Sequence, residues 1–462
     1  METGLFGNRK LRKGIAGLLL AATLTGCAGV QNNSGQADGN AGANGIPALE
    51  TAPVLDYTVP DVLPGMLLNQ IGYRPSSYKT VVVQGVELPD CFYIKDAATE
   101  KIVYTGIFEE QGYDEVTGEY TGYGDFSDFT TEGSYYLECE VLGLTYDFVI
   151  RDSLHVDLMN ENLQFLADKR QNLTVQHIPD VCVGMSTLLL SYELYGSVYD
   201  GLDETLTEPA MITEVKNYVE WLRTGLDAES GAVMDGEVAM ATETAWTAAV
   251  LAKFSYTYQK YDSVYATACL QAADKAWTYL DKNKADVSDG LMFYGASELY
   301  RATGRYQYRV AAENLGKVLE ADVSDQAQLF GMLTYGFTKR RVDVNLCNTL
   351  LAAVFDEAEA LAQEDREGYF VTEGTLTPQG LKTFLWDVLI LASVDYVITN
   401  SEYATLIARN HSYLAGENAG ALCYISSAEA DAVAGYKTAD CCEFIAGHMM
   451  ILSEIMSHEQ EE

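Results

Sequence analysis

The chain has 462 residues, of which 48% are hydrophobic and 21% charged, a balance typical of a globular protein with a large buried core. Its 67 acidic and 29 basic residues give a formal net charge of −38 at pH 7, which repels phosphate backbones and excludes nucleic acid as a partner. Neutral ligands and cations such as Ca²⁺ remain compatible with this charge, but no motif identifies a Ca²⁺ site and we expect no cofactor.

The N-terminus has the pattern of an export signal. Basic residues in "NRKLRKG" precede an apolar stretch, residues 15–24, that is too short to span a bilayer as a lasting helix. The stretch ends in "LTGC", which resembles a bacterial lipobox and implies cleavage before Cys27 and lipid attachment to it. We therefore expect residues 1–27 to be a lipoprotein signal peptide. The exported protein would be anchored through Cys27 to the outer face of the bacterial cell membrane.

The next segment, residues 28–61, has the composition of a tether. Its sequence "QNNSGQADGNAGANG" is small and polar, and prolines follow it. Such a composition cannot bury enough apolar surface to fold, so we expect a disordered spacer between the lipid and the folded part.

Residues 62–152 have the pattern of an all-β domain. Short runs such as "KTVVVQGV", "CFYIKD", "KIVYTGIF" and "SYYLECEVL" are rich in β-branched and aromatic residues, and turn-forming residues separate them. "TTEGSYYLECEV" alternates as one half-buried strand should. Several such strands within one short segment predict a small β-sandwich.

The periodicity changes from about residue 157 to residue 458. "TAWTAAVLAKFSYTYQKY", "SDGLMFYGASELYRATG" and similar segments carry apolar residues at helical spacing. Helix-capping residues precede several of them: Asp262 or Ser263, Ser288, and Asp325. Roughly a dozen consecutive helices with short loops predict an α/α toroid. A helical-repeat solenoid is the alternative, but no fixed repeat period is visible.

The remaining cysteines give no sign of a disulfide framework or a metal site. Eight are scattered, mostly in apolar contexts such as "DVCVGM", and no Cys-x-x-Cys pair occurs. The five histidines do not cluster with them. We expect mostly buried free thiols and no zinc site.

Several motifs together resemble glycoside hydrolase family 9, the cellulase family with an N-terminal Ig-like domain. "LLNQIGYRP" and "GDFSDFTTEGSYYLE" are similar to strands of that Ig-like domain, and "STLLLSYELYG" is similar to a helix of its barrel. "SYLAGENAGALCYISS" is similar to the family pattern Leu-Gly-x-Asn-Pro-x-x-x-Ser-Tyr-Val. The resemblance implies an Ig-like β-sandwich followed by an all-α (α/α)6 barrel.

The resemblance also implies inverting hydrolysis of β-1,4-glucan, in which an Asp activates water and a Glu protonates the leaving oxygen. The family's first catalytic loop reads Asp-Ala-Gly-Asp-Tyr-Gly-Lys-Tyr, but Leu173 and Gln176 occupy its two acid positions here. Asp180 lies about four residues later. We interpret it either as the catalytic base or as the N-cap of a helix over 180–196.

Two further loops depart from the family pattern. The loop 428–437 contains no His or Arg where the family has a sugar-binding Pro-His-His-Arg stretch. The family's Asn-Glu pair aligns with Thr438 and Ala439, so Asp440 is displaced by one residue from the acid position. Asp440 and Glu443 are therefore interpreted either as general acid and supporting carboxylate or as ordinary negative charge at a helix N-terminus.

Other candidate site residues are weaker. Asp235, Glu237 and Glu243 precede a helix and are interpreted either as a site, lining the barrel mouth or binding Ca²⁺, or as a solvated loop. Three aromatic residues are glycan-contact candidates, with core packing as the alternative for the two tryptophans: Trp246, Trp386 and Tyr424.

Two functions follow from this combination. The preferred one is a cell-surface member of the family that binds a polysaccharide, an oligosaccharide or a partner without hydrolysing it, because the catalytic motifs are not recovered. The alternative is an active, divergent inverting glycosidase with Asp440 or Glu443 as its acid and Asp180, or a carboxylate from 235–243, as its base.

Overall fold

The computed structural model describes residues 65–114, 119–140, 142–283, 286–367, 376–425 and 441–459. The predicted signal peptide, Cys27, the tether and Asp440 lie outside these residues. Within them, a β-sandwich is followed by twelve α-helices, which confirms the predicted fold class.

The sandwich consists of two antiparallel sheets, ordered β1-β2-β6-β5 and β4-β3-β7-β8, with β9 also pairing with β7. The strands are β1 Met66–Leu67, β2 Thr80–Gly85, β3 Cys91–Asp96, β4 Ile102–Ile107, β5 Glu109–Asp114, β6 Glu119–Asp125, β7 Gly133–Cys139, β8 Gly143–Leu144 and β9 Phe148–Ile150. Alternate residues of β7 (Tyr135, Leu137 and Cys139) are buried between the sheets, as the period of two requires.

The helices alternate between an outer and an inner ring. The outer helices are α1 Leu154–Arg170, α3 Ala210–Thr224, α5 Ser263–Asn283, α7 Tyr306–Val318, α9 Val344–Glu367 and α11 Ser401–Leu414. The inner helices are α2 Ile178–Leu202, α4 Ala241–Tyr258, α6 Asp289–Thr303, α8 Gln326–Phe337, α10 Pro378–Ile398 and α12 Cys441–Glu459. Such a double ring is an (α/α)6 barrel.

Burial patterns explain the two rings. Every residue of α4 from Thr244 to Ser255 is buried, because an inner helix is surrounded by other helices. On α5 only one stripe is buried, Ala266, Cys269, Ala273, Ala276, Trp277 and Leu280, because the other face is solvated. The segment Val175–Leu202 has the length and apolarity of a membrane span, but most of it lies inside the barrel.

Close contacts between neighbouring helices close the inner ring. Tyr294 of α6 packs against Trp246 of α4 and stacks on Phe330 of α8. A Cβ atom at Gly184 of α2 would lie 2.9 Å from the carbonyl oxygen of Cys442 on α12. A glycine is therefore required where these two helices, the first and last of the inner ring, meet.

The sandwich is attached to the barrel through the segment after α11. The backbone N–H of Gln70 donates to the carbonyl of Ala415 at 2.9 Å, and its side-chain amide donates to the carbonyl of Ala421 at 2.6 Å. The hydroxyl of Thr80 donates to the buried carboxyl of Glu417 at 2.8 Å. These contacts tie the two domains together by backbone and side-chain hydrogen bonds.

Strand β2 is buried on both faces. Val81 and Val83 point into the sandwich core, whereas Val82 packs with Leu67 against Ala421 of the barrel. This explains why "VVV" is a continuous apolar run rather than an alternating one.

Seven cysteines have described side chains, and all seven are free thiols. Five are buried and Cys91 and Cys347 are half-buried. The prediction of mostly buried free thiols is confirmed for this part of the chain.

Candidate functional site

The first turns of inner helices meet at one end of the barrel, which we call the mouth. Lys382 in the first turns of α10 lies close to Asp180 at the start of α2 and to Glu443 at the start of α12. Gln326, the first residue of α8, donates its side-chain amide to the Glu443 carboxylate. The mouth therefore gathers four polar side chains from four separate helices.

Asp180 reaches this position because α2 begins earlier than predicted. Pro179 occupies the first turn, where its fixed φ favours helix and its missing N–H costs nothing. The helix starts at Ile178 with His177 as N-cap, so the predicted N-cap role of Asp180 is wrong. Asp180 is instead an acidic residue of the first turn, where the helix dipole stabilises its charge.

Lys382 bridges the two carboxylates. Its Nζ atom is 3.2 Å from Oε2 of Glu443 and 3.8 Å from Oδ1 of Asp180. The Glu443 side chain is only 8% exposed, whereas those of Lys382 and Asp180 are 24% and 35% exposed. The arrangement is an ion-paired triad that is buried at the Glu443 end and open to solvent at the Asp180 end.

Burial raises the pKa of Glu443 above its ordinary value of 4.5. The Lys382 ammonium and the hydrogen bond from Gln326 act against this rise, and the nearby Asp180 carboxylate adds to it. A carboxyl group with a raised pKa is what a general acid needs, but the lysine beside it favours the ionised form.

The separation of the two carboxylates in this triad can be compared with the separation that inverting hydrolysis requires. Because both contacts share Nζ, the oxygens of Asp180 and Glu443 are at most about 7 Å apart, so only the lower end of the range of roughly 6.5–9.5 Å for inverting carboxylates is open to them. In an inverting site a water molecule lies between the two groups. Here the ammonium of Lys382 contacts both carboxylates from that intervening region.

A second polar pair lies at the rim of the mouth. Strands β10 Val233–Asp235 and β11 Val238–Met240 form a hairpin whose turn needs the left-handed Gly236, at φ +58°. The hairpin brings Asp235 to Gln176, whose side-chain amide donates to it at 3.1 Å. Both residues are exposed, so together they offer amide and carboxylate groups to a ligand.

The other acids of this segment take separate positions. Glu237 is exposed in the hairpin turn, and Glu243 is half-buried in the first turn of α4. Of the carboxylates predicted from 235–243, Asp235 is the one with a described hydrogen bond to Gln176, the residue at a family acid position.

The three aromatic candidates for glycan contact lie in the core. Tyr424 is fully buried, stacks on Tyr413, and accepts a hydrogen bond from the backbone of Leu376. Trp386 is 7% exposed and its indole N–H donates to the carbonyl of Val323. Trp246 is also 7% exposed. None of these three rings presents a face to solvent, so the predicted glycan platforms are not formed by them.

One predicted acid, Asp440, and one neighbouring cysteine, Cys442, precede Glu443 in the sequence. Asp440 lies outside the described residues. Cys442 is fully buried, with its sulfur 3.5 Å from the hydroxyl of Tyr218. That burial favours a packing role for Cys442.

Sequence reasoning missed Lys382 and Gln326. A signal for Lys382 was present, because it is a basic residue near the N-terminus of the mostly apolar helix segment "LKTFLWDVLIL". A cation there opposes the helix dipole and needs a compensating acid. Because Lys382 contacts both Asp180 and Glu443, these two carboxylates share one cationic partner.

Comparison with known families assigns both parts of the chain. Residues 63–143 match the family described as cellulase N-terminal Ig-like domain. Residues 181–435 match the family described as glycosyl hydrolase family 9, and this second match covers more than half of the chain.

Individual relatives agree with these matches. The chain is 20% identical to endoglucanase D of Acetivibrio thermocellus over 452 residues, covering 76% of this chain and 71% of that protein. A single mutant of a thermostable endoglucanase from Alicyclobacillus acidocaldarius has a similar fold, with a TM-score of 0.70 at 15% identity over 85% of this chain and all of the other. A family 9 protein of Bacteroides ovatus is similar with a TM-score of 0.68 at 17% identity, over 85% of this chain and 98% of the other.

Proposed function

This chain belongs to glycosyl hydrolase family 9, and from that premise we propose that it binds β-1,4-glucan or its oligosaccharides at the barrel mouth without hydrolysing them. The observation that carries the proposal is the Lys382 ammonium in contact with both Asp180 and Glu443. The bridging ammonium contacts both carboxylates from the region where an inverting enzyme holds its water, and it acts against the rise in pKa that burial gives Glu443.

The mouth retains groups that bind sugars. Gln176, Asp235 and Gln326 carry amide and carboxylate atoms, and Lys382 adds three N–H donors. Sugar hydroxyl groups both donate and accept hydrogen bonds, so this set complements them. Recognition of a sugar needs polar groups at the mouth, whereas hydrolysis needs a free acid and a free base.

A second candidate function has a specific observation in its favour. Burial raises the pKa of Glu443, and the shared contacts with Lys382 leave the lower end of the inverting range, near 7 Å, open to Glu443 and Asp180. If a bound glucan displaced Lys382, Glu443 would act as acid and Asp180 as base. This is the divergent glycosidase alternative, in which Asp440 is the other candidate acid.

The decisive experiment measures hydrolysis and binding on the same protein. Release of reducing ends from a soluble β-1,4-glucan is followed for wild type, Glu443→Gln, Asp180→Asn and Asp440→Asn, with Glu204→Gln as an exposed control away from the mouth. We expect no turnover above background in any of them. Turnover by wild type that falls about 10²–10⁴-fold in one of the first three variants, but not in Glu204→Gln, would establish the enzyme.

Binding is measured by calorimetry with cello-oligosaccharides. We expect saturable binding by wild type that Gln176→Ala weakens about tenfold, the loss of roughly one hydrogen bond, while Glu204→Gln binds normally. Gln176 is exposed, so its replacement does not threaten the fold. Absence of both binding and turnover would contradict both candidate functions.

We also propose that the protein acts at the cell surface, held by a lipid on Cys27. The support is the sequence "LTGC" after a short apolar stretch. Expression of wild type and Cys27→Ser in a bacterial host tests this by fractionation. Wild type should sediment with membranes and Cys27→Ser should not, and equal sedimentation of both would contradict the proposal.

A further inference from the structure

A second cluster of titratable side chains lies at the end of the barrel opposite the mouth. Asp395 is in the last turns of α10, and Glu454 and His458 are in the last turns of α12. Roughly 16 Å of helix separates Glu454 from Glu443 on α12. This cluster is therefore distinct from the candidate site at the mouth.

The three side chains converge on one small volume. Nε2 of His458 is 2.8 Å from Oδ2 of Asp395 and 3.2 Å from Oε1 of Glu454. One ligand atom from each of the three residues lies within 4.8 Å of the others. Glu454 and His458 are four residues apart on one helix, so they share a face, and Asp395 approaches from the neighbouring helix.

An independent observation concerns the burial and hydrogen bonding of Glu454. Its side chain is fully buried, and Oε2 meets no hydrogen-bond donor among the described residues. Asp395 beside it is only 2% exposed. A buried carboxylate oxygen without a donor is costly unless a positive charge or a metal ion compensates it.

We propose that Asp395, Glu454 and His458 form a binding site for a divalent transition-metal ion of the Zn²⁺ type. One imidazole nitrogen and two carboxylate oxygens are ligands that Zn²⁺ accepts. A Zn²⁺ ion would replace the ring proton through which His458 pairs with the two carboxylates, and so would become their cationic partner. The ion would also give Oε2 of Glu454 a partner on its side of the cluster.

The observed distances suit this ion after a small adjustment. Ligand atoms about 2.0–2.2 Å from a tetrahedral Zn²⁺ are separated from one another by roughly 3.3–3.6 Å. The two contacts to Nε2 are 2.8 and 3.2 Å, so an outward shift of a few tenths of an ångström admits the metal. His458 is 31% exposed, which leaves an entry path and room for a water as fourth ligand.

The backbone around Asp395 orients its carboxylate. The N–H of Asn400 donates to Oδ1 of Asp395 at 2.7 Å, leaving Oδ2 to face the cluster. This hydrogen bond depends on the left-handed residue Thr399, at φ +45°, which ends α10. Metal-binding carboxylates are commonly held by such outer hydrogen bonds. The consequence of binding would be a cross-link between the C-terminal ends of α10 and α12.

This site could not be predicted from the sequence, because its three ligands are not close together in the chain. Asp395 is separated from Glu454 and His458 by all of α11 and the segment after it. Only the packing of α10 beside α12 brings the three together.

The experiment titrates the chelator-treated full-length protein with Zn²⁺ by calorimetry and measures its Tm with and without the metal. We expect one saturable site in wild type, a Zn²⁺-dependent rise in Tm, and at least tenfold weaker binding in Glu454→Gln and His458→Gln. His458 is partly exposed, so His458→Gln tests the site even if the buried substitution prevents folding.

Two control variants address other zinc ligands in the chain. His177→Gln removes a half-buried histidine at the mouth, and Cys347→Ser removes a half-buried thiol. Both should bind Zn²⁺ as wild type does. The proposal would be overturned by no saturable binding, by binding that His458→Gln leaves unchanged, or by binding of Ca²⁺ in preference to Zn²⁺, which would leave the imidazole without a role.

Discussion

The pKa of the buried Glu443 carboxyl group is set by two opposing effects, desolvation and charge pairing. Its own burial disfavours the ionised form, and Lys382 and Gln326 favour it, with the net result that the pKa is raised. Because the group sits at the mouth, this balance decides whether it holds a proton there. The same balance makes the stability of the protein depend on pH in a predictable direction.

The prediction at the residue scale compares the free energy of unfolding of wild type and Glu443→Gln as a function of pH. In the unfolded chain Glu443 loses its proton near its ordinary pKa of 4.5, whereas in the folded protein it loses it at higher pH. Above pH 4.5 the unfolded state therefore binds fewer protons than the folded state. The stability of wild type relative to Glu443→Gln should fall as the pH rises through the folded pKa.

Urea denaturation at several pH values measures this difference, and Glu204→Gln, at an exposed position away from the mouth, is the control substitution. A relative stability that rises with pH would contradict the prediction. It would mean that Lys382 outweighs burial and lowers the pKa of Glu443.

At the scale of the single element, helix starts are the feature most directly encoded in the sequence. The predicted caps are confirmed: the Ser288 hydroxyl accepts from the backbone N–H of Leu291, and the Asp325 carboxylate accepts from that of Gln328. At the start of α5, Asp262 accepts from the N–H groups of Val264 and Tyr265. Each cap satisfies N–H groups that the helix cannot pair internally.

Replacement of a cap should therefore have a measurable cost. We expect Ser288→Ala to lower the free energy of unfolding by about 1 kcal/mol, because the N–H of Leu291 loses its acceptor. Ser263→Ala is the matched control. There the cap is Asp262, so the change should stay within about 0.5 kcal/mol. Equal losses in the two variants on urea denaturation would show that the hydroxyl of Ser288 is not the stabilising group.

Elements whose apolar residues recur with a clear period could be predicted from the sequence. Elements without such a period could not. Strand β3 and helices α4 to α7 lie where periodicity predicted them. Strands β5 and β6 were missed, because "EEQGYD" and "EYTGYGD" are rich in Gly and acidic residues. Their pairing, including the ring contact between Tyr113 and Tyr120, forms only when the two strands meet.

The site was predictable only in part, for a related reason. Helical periodicity marks apolar residues but does not distinguish an inner helix, buried all round, from an amphipathic one, so Trp246 and Trp386 could be assigned to a surface. Asp180 and Glu443 were both chosen as candidates. Their common partner Lys382 comes from a third, distant segment, and only the closed ring brings it to them.

At the scale of the whole molecule, the sandwich and the barrel share apolar surface as well as hydrogen bonds. Leu67 and Val82 of the sandwich and Ala421 of the barrel form one small buried cluster. Gln70 and Thr80 add polar contacts across the same junction. The two domains should therefore unfold together rather than one after the other.

Leu67→Ala tests this coupling. The variant leaves a cavity at the junction, and we expect a loss of about 2–5 kcal/mol in the free energy of unfolding. Calorimetry should show one transition that moves to lower temperature as a whole. Leu144→Ala, at a 56% exposed leucine of the same sandwich, should change stability by less than about 0.5 kcal/mol. Two separate transitions, with only the smaller one shifted, would contradict the coupling.

The gathering of inner-helix starts at the mouth has a consequence for protein engineering. The connections that enter these helices, such as 171–177 before α2 and 235–240 before α4, reach this rim without contributing to the ring contacts described for Trp246, Tyr294 and Phe330. New peptide segments could be grafted at the exposed hairpin turn, residues 235–238, while Leu173, Val175 and Met240 keep their packing against the barrel core. The barrel could then serve as a scaffold on which variants that bind other ligands are selected without a change of fold.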